Sequence, residues 1–171
     1  LVSLKEADLT ISAELVNNTD RPIVGTLIGL IESVEFDQQV TIEANSKKTV
    51  EFSVKDYAQL KFNNPRLWWP IHLGDPNLYD LDLEFRINDA ISDVSQIRFG
   101  IREIEDYWLN EIHRGYKVNG QKVMIKGGGW TDDLFLMDND ESLEAQIKYV
   151  KQMNLNCVRL EGFWGKDHKL Y

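Results

Sequence analysis

Between Gly115 and Glu161 the sequence runs through a strand, a glycine-rich turn, a polar loop, one amphipathic helix and a second strand. That order leaves few folds open. Val123, Met124 and Ile125 make a short apolar run, which the triple glycine at 127–129 breaks just ahead of Trp130. Leu143, Ile147, Val150 and Met153 recur at helical spacing, with Glu144, Lys148 and Lys151 on the polar face. Asp138 followed by Glu141 is a capping-box pattern, and Asn154 is placed to stop the helix in the left-handed region. Cys157-Val158-Arg159-Leu160 then reads as a short strand of the kind buried in a parallel sheet. Strand, helix, strand is one βαβ unit, and one such unit cannot close a sheet. The sheet is therefore expected to continue past Tyr171.

Upstream the period changes from helical to two. Ala7, Leu9, Ile11, Ala13 and Leu15 alternate with Asp8, Thr10, Ser12 and Glu14. Residues 23–31 are apolar on both faces, as in a central strand, with Gly25 and Gly29 permitting close approach. Val40 and Ile42, then Val50, Phe52 and Val54, flank a polar turn at 45–48. Tyr79, Leu81, Leu83, Phe85 and Ile87 alternate with polar residues, Asn88-Asp89 turns the chain, and Ile97, Phe99 and Ile101 carry the next strand. About seven short strands with frequent turn signals indicate a mainly β chain that opens with an immunoglobulin-like β-sandwich. A small barrel shares the same local pattern and stays open as an alternative.

Residues 62–70 and 74–79 interrupt that regularity. Pro65, Pro70 and the adjacent Trp68 and Trp69 do not suit a strand interior, so a rigid loop is expected whose aromatics must pack on something. Two paired indoles can offer a stacking platform for a pyranose ring, or they can seal the loop onto a core or a neighbouring domain. The expected organisation is a sandwich over 1–103, a linker over 104–114 and the βαβ segment over 115–171, with Asn119-Gly120 turning a hairpin at its entry.

Composition narrows the function. A net charge of −9 argues against a nucleic-acid or anionic-membrane partner, since neutralising phosphates takes clustered Lys and Arg. No apolar run approaches the roughly 18 residues of a membrane span. The single cysteine of the 171 residues allows no internal disulfide. The chain opens on Leu1 and not on Met, so a piece cut from something longer is expected. Asn17-Asn18-Thr19 fits the acceptor sequence for N-glycosylation.

Several chemistries lack their residues. The glycines at 127–129 have no Gly-Lys-Ser/Thr and no dinucleotide spacing. His72, His113 and His168 show no metal-ligand spacing, so no metal site is expected. Cys157 sits among apolar neighbours, as an inert core thiol would. What remains lies at the ends of the two expected parallel strands: Trp130, Asp132 and Asp133 after the first, Arg159 and Glu161 in and after the second. These five are the candidate substrate-binding residues, and no catalytic residue is assigned. Arg159 stands out because a guanidinium buried in an apolar strand needs partners. It and Glu161 serve equally in a structural ion pair.

The order of these elements resembles glycoside hydrolase family 2. The likeness rests on Pro65-Arg66-Leu67-Trp68-Trp69-Pro70, Pro76-Asn77-Leu78-Tyr79, Phe99-Gly100-Ile101-Arg102 and Val118-Asn119-Gly120-Gln121. Within the family, Gly127-Gly128-Gly129-Trp130-Thr131 and Val158-Arg159-Leu160-Glu161-Gly162 look most like exo-β-D-glucosaminidases, with β-mannosidases next. The resemblance implies a retaining exo-β-glycosidase acting on an oligosaccharide, with no cofactor and two glutamates about 5 Å apart. It implies the first βαβ portion of a truncated (β/α)8 barrel after the sandwich, with both glutamates on later strands and this fragment inactive. A periplasmic or secreted parent is implied, and a cut barrel is expected to self-associate through its exposed segment. The rival reading is a self-contained carbohydrate-binding or interaction module using Trp68 and Trp69.

Overall fold

Most of the period-two alternation in the residues up to 99 becomes strand. The computed structural model describes residues 3–131 and 139–160. The chain divides into two compact units, Leu1–Trp69 with Asp75–Glu103, and Pro70–Gly74 with Ile104–Tyr171. Strands in the first are β1 (Glu6–Asp8), β2 (Thr10–Asn17), β3 (Ile23–Ile31), β4 (Val34–Ile42), β5 (Ser46–Ser53), β6 (Lys61–Asn63), β7 (Tyr79–Ile87) and β8 (Ala90–Phe99). They pair antiparallel as a four-stranded sheet, β4-β3-β7-β8, and two ribbons, β2-β5 and β1-β6.

One apolar cluster joins these layers into a sandwich. Ile11 of β2 and Val50 and Phe52 of β5 meet Leu27 and Ile31 of β3, Phe36 and Val40 of β4, and Leu81, Leu83 and Phe85 of β7. Within a strand these residues lie two or four positions apart, always an even number, so they share one face of each layer. The centroid of the Phe52 ring lies 4.8 Å from that of Phe36 and 5.1 Å from that of Tyr57. Gly29 of the central strand leaves the space that the Phe36 ring fills, because a Cβ there would overlap the edge of that ring. Asn88 and Asp89 both adopt positive φ, 50° and 64°, the geometry of a two-residue hairpin between β7 and β8.

The second unit holds β9 (Ile104–Trp108), β10 (Arg114–Val118), β11 (Gln121–Val123), β12 (Gly127–Trp130), helix α1 (Asp140–Gln152) and β13 (Cys157–Leu160). Residues 104–114, expected as a linker, hold β9 and a turn instead. β9 pairs antiparallel with β10 from Ile104↔Val118 to Trp108↔Arg114, and Asn119 and Gly120 turn β10 into β11. Asn110 organises the β9–β10 turn, its Oδ1 accepting from the backbone N–H groups of Ile112 and His113. The turn residues carried this signal, since Asn closes such turns with its own side chain. Among the described residues there is one parallel strand pair and no closed barrel. No helix among the described residues is long and apolar enough to cross a membrane.

Candidate functional site

β12 and β13 run parallel in register from Gly127↔Cys157 to Trp130↔Leu160. The triple glycine is thus strand and not turn. Cys157 gives the reason: a Cβ on Gly127 would land on its carbonyl oxygen, so only glycine permits this approach. The run 123–125 was expected to be the strand, yet only Val123 belongs to one, and Met124 and Ile125 are exposed. Asn156 fastens the amino ends of the pair. Its Oδ1 accepts from Lys126 N at 2.8 Å, and its Nδ2 donates to Met124 O at 2.9 Å. Sequence reasoning passed over Asn156, which looks like any polar residue next to a helix stop.

The connection between the two strands is α1. Its N-cap is Asn139, whose side chain accepts from Ser142 N at 2.9 Å, one position after the expected Asp138, which lies outside the described residues. Glu144 and Lys148 pair at 2.7 Å across one turn, and Asn154 ends the helical segment at φ 56° as anticipated. No residue of α1 is buried: Leu143 and Val150 are half-covered and Ile147 is 42% exposed.

Parallel pairing brings Trp130 and Arg159 to the carboxyl end of this small sheet, Trp130 opposite Leu160 and Arg159 opposite Gly129. Trp130 is buried, 8% exposed. Arg159 is exposed, contrary to the expectation of a buried guanidinium, while Val158 and Leu160 beside it are half-buried. Side chains alternate along a strand, so the arginine faces away from its neighbours. Asp132, Asp133 and Glu161 lie outside the described residues. Cys157 is half-buried. Among the described residues no group of three or more His, Cys, Asp or Glu side chains is placed to hold a metal ion.

The proline- and tryptophan-rich loop is clipped to the sandwich by its own backbone. Trp68 N donates to Ile101 O at 2.9 Å, Arg66 N donates to the Tyr79 hydroxyl at 2.8 Å, and Asn77 Nδ2 donates to Leu67 O at 3.0 Å. Arg66 also forms an ion pair with Glu32. The Arg102 guanidinium lies 4.5 Å from the Trp68 ring centroid, and Trp69 packs against the core. Of the two uses open to the paired indoles, sealing the loop is the one this packing serves.

These clipped residues lie within the span of a family profile. The profile of the Glycosyl hydrolases family 2 matches residues 1–102. The chain belongs to that family. The family 2 chain is 38% identical over 160 residues to an exo-beta-D-glucosaminidase of Streptomyces avermitilis, covering 94% of this chain and 18% of the relative. It is 35% identical over 160 residues to the exo-beta-D-glucosaminidase of Amycolatopsis orientalis, covering 94% and 15%. The solved structure of an exo-chitosanase from Amycolatopsis orientalis superposes with a TM-score of 0.84 at 34% identity, covering 96% of this chain and 19% of that one. The family 2 chain thus spans less than a fifth of the length of each of these relatives.

Proposed function

We propose that the family 2 chain is part of a retaining exo-β-glycosidase that hydrolyses terminal β-glycosidic bonds of oligosaccharides, with β-glucosaminides or β-mannosides as substrates. In this reading the first unit is an immunoglobulin-like brace, and the second is the opening portion of a (β/α)8 catalytic barrel. The observation that supports it most is the parallel pairing of β12 with β13 around α1 in a chain of this family. Active sites of such barrels lie at the carboxyl ends of the strands, the end where Trp130 and Arg159 stand. Trp130, Asp132, Asp133, Arg159 and Glu161 would line the substrate side. The acid/base and nucleophilic glutamates would lie on later barrel strands, which leaves the 171-residue chain inactive by itself.

Glu161 gives the reading its sharpest test. A glucosaminide carries an ammonium group, and a carboxylate meeting it in a water-poor pocket contributes roughly 1.5–3 kcal/mol. In the full-length enzyme, Glu161→Gln is expected to lower kcat/KM on an aryl β-glucosaminide tenfold or more and leave the matching β-mannoside nearly unchanged. An equal fall on both substrates would remove the amino-sugar assignment. Turnover of an aryl β-glycoside by the isolated chain, surviving repurification, would overturn the assignment of the catalytic glutamates to later strands.

A further inference from the structure

Asn17-Asn18-Thr19 has the form of an N-glycosylation acceptor, and the fold employs that amide for something else. Asn17 ends β2 and is 2% exposed. Its Nδ2 donates to Arg21 O at 2.9 Å in the turn that follows, to Ile42 O at 3.2 Å at the end of β4, and to Glu43 O at 2.9 Å in the turn between β4 and β5. Two amide hydrogens are shared among three carbonyl oxygens. The Oδ1 accepts from Thr19 N at 2.9 Å and from the Thr19 hydroxyl at 2.8 Å. Asn45 N donates to Thr19 O at 2.9 Å and completes the tie between the two turns.

We infer that Asn17 is a closed acceptor site: the folded chain excludes an N-linked glycan there, because the nitrogen to be modified is the donor that holds two turns together. Glycosylation forms a bond from Nδ2 to a sugar carbon, displaces one amide proton and releases the lipid pyrophosphate that carried the sugar. It would therefore remove one of the two hydrogens that serve Arg21, Ile42 and Glu43. It would also place a saccharide where the side chain has no open surface. Glycan and native turn pair are mutually exclusive. A nascent chain modified at Asn17 before folding cannot assemble this end of the sandwich.

The test begins with secretion from a eukaryotic host behind a signal sequence. The fraction that unfolds cooperatively is peptide-mapped by mass. Folded material with Asn17 bare is the expected result, whether or not retained or aggregated chains carry sugar. A glycan on Asn17 in that folded material overturns the inference. Two variants made without glycosylation separate the amide from the acceptor sequence. Asn17→Asp sets an oxygen against the three carbonyl oxygens and is expected to lower Tm by roughly 8 °C or more, or to prevent folding. Thr19→Ala destroys the acceptor sequence but keeps the Nδ2 bonds, and is expected to cost less than half of that shift. Equal shifts, or two variants that both fail to fold, would show that Nδ2 is not what holds the turns.

Discussion

Gly127 and Gly128 are neighbours in one strand, and the structure expects opposite outcomes from the same substitution. At Gly127 an added Cβ meets the backbone carbonyl of Cys157, which cannot rotate away as a side-chain tip would. Gly127→Ala must push β12 and β13 apart, and overpacking of this kind costs roughly 1–3 kcal/mol. At Gly128 nothing lies within 4 Å of an added Cβ. Its φ lies outside the positive region where a side chain is strained, so Gly128→Ala should stabilise by about 0.4–1 kcal/mol through a less free unfolded chain. The two variants should then differ by roughly 1.4–4 kcal/mol, which is tenfold or more in the opening equilibrium of the pair. Hydrogen exchange of the amides of Cys157–Leu160 reads that equilibrium locally, without relying on unfolding of the other unit. Faster exchange for Gly127→Ala and equal or slower exchange for Gly128→Ala is the expected pair of results. Equal exchange in both variants would refute the close parallel approach, and with it the observation that best supports a barrel.

Phe52 is fully buried between Phe36 and Tyr57, so Phe52→Ala should lower stability by about 3–5 kcal/mol in urea titration; a loss below about 1 kcal/mol would contradict the shared core of the two layers. Partial burial, then the charges of Asp37 and Asp56, raise the Tyr57 phenol above its ordinary 10.0. Its contribution is complete below that value and is lost as pH rises through the raised pKa, so above pH 10.0 Tm should fall more steeply in the parent chain than in Tyr57→Phe. The half-covered face of α1, with Ile147 at 42% exposure and the C-cap Met153 at 60%, is expected to draw isolated chains together. Ile147→Glu should shift sedimentation toward monomer, and a wild-type chain already monomeric at high concentration would refute this.

Where a residue's role follows from its own periodicity, the sequence is a sufficient guide. The alternation from Tyr79 to Ile87 becomes β7, the helical spacing from Leu143 to Val150 falls within α1, and Asn88-Asp89 and Asn119-Gly120 turn their hairpins. These are local preferences of side chains and backbone, so neighbours in sequence determine them. Pro65-Arg66-Leu67-Trp68-Trp69-Pro70 likewise carried the family, although its partners Ile101, Tyr79 and Asn77 are reached only through the fold. The triple glycine shows where local reading stops. Glycine lacks any strand preference, and its place in β12 comes from a carbonyl thirty residues away that tolerates no side chain. Arg159 is the same lesson in exposure: an apolar strand predicts burial, but the direction in which position 159 points is decided by pairing with Gly129. At Asn17 the acceptor motif is visible in three letters, whereas its closure depends on Ile42 and Glu43, brought beside it by the antiparallel pairing of β2 with β5 and of β3 with β4.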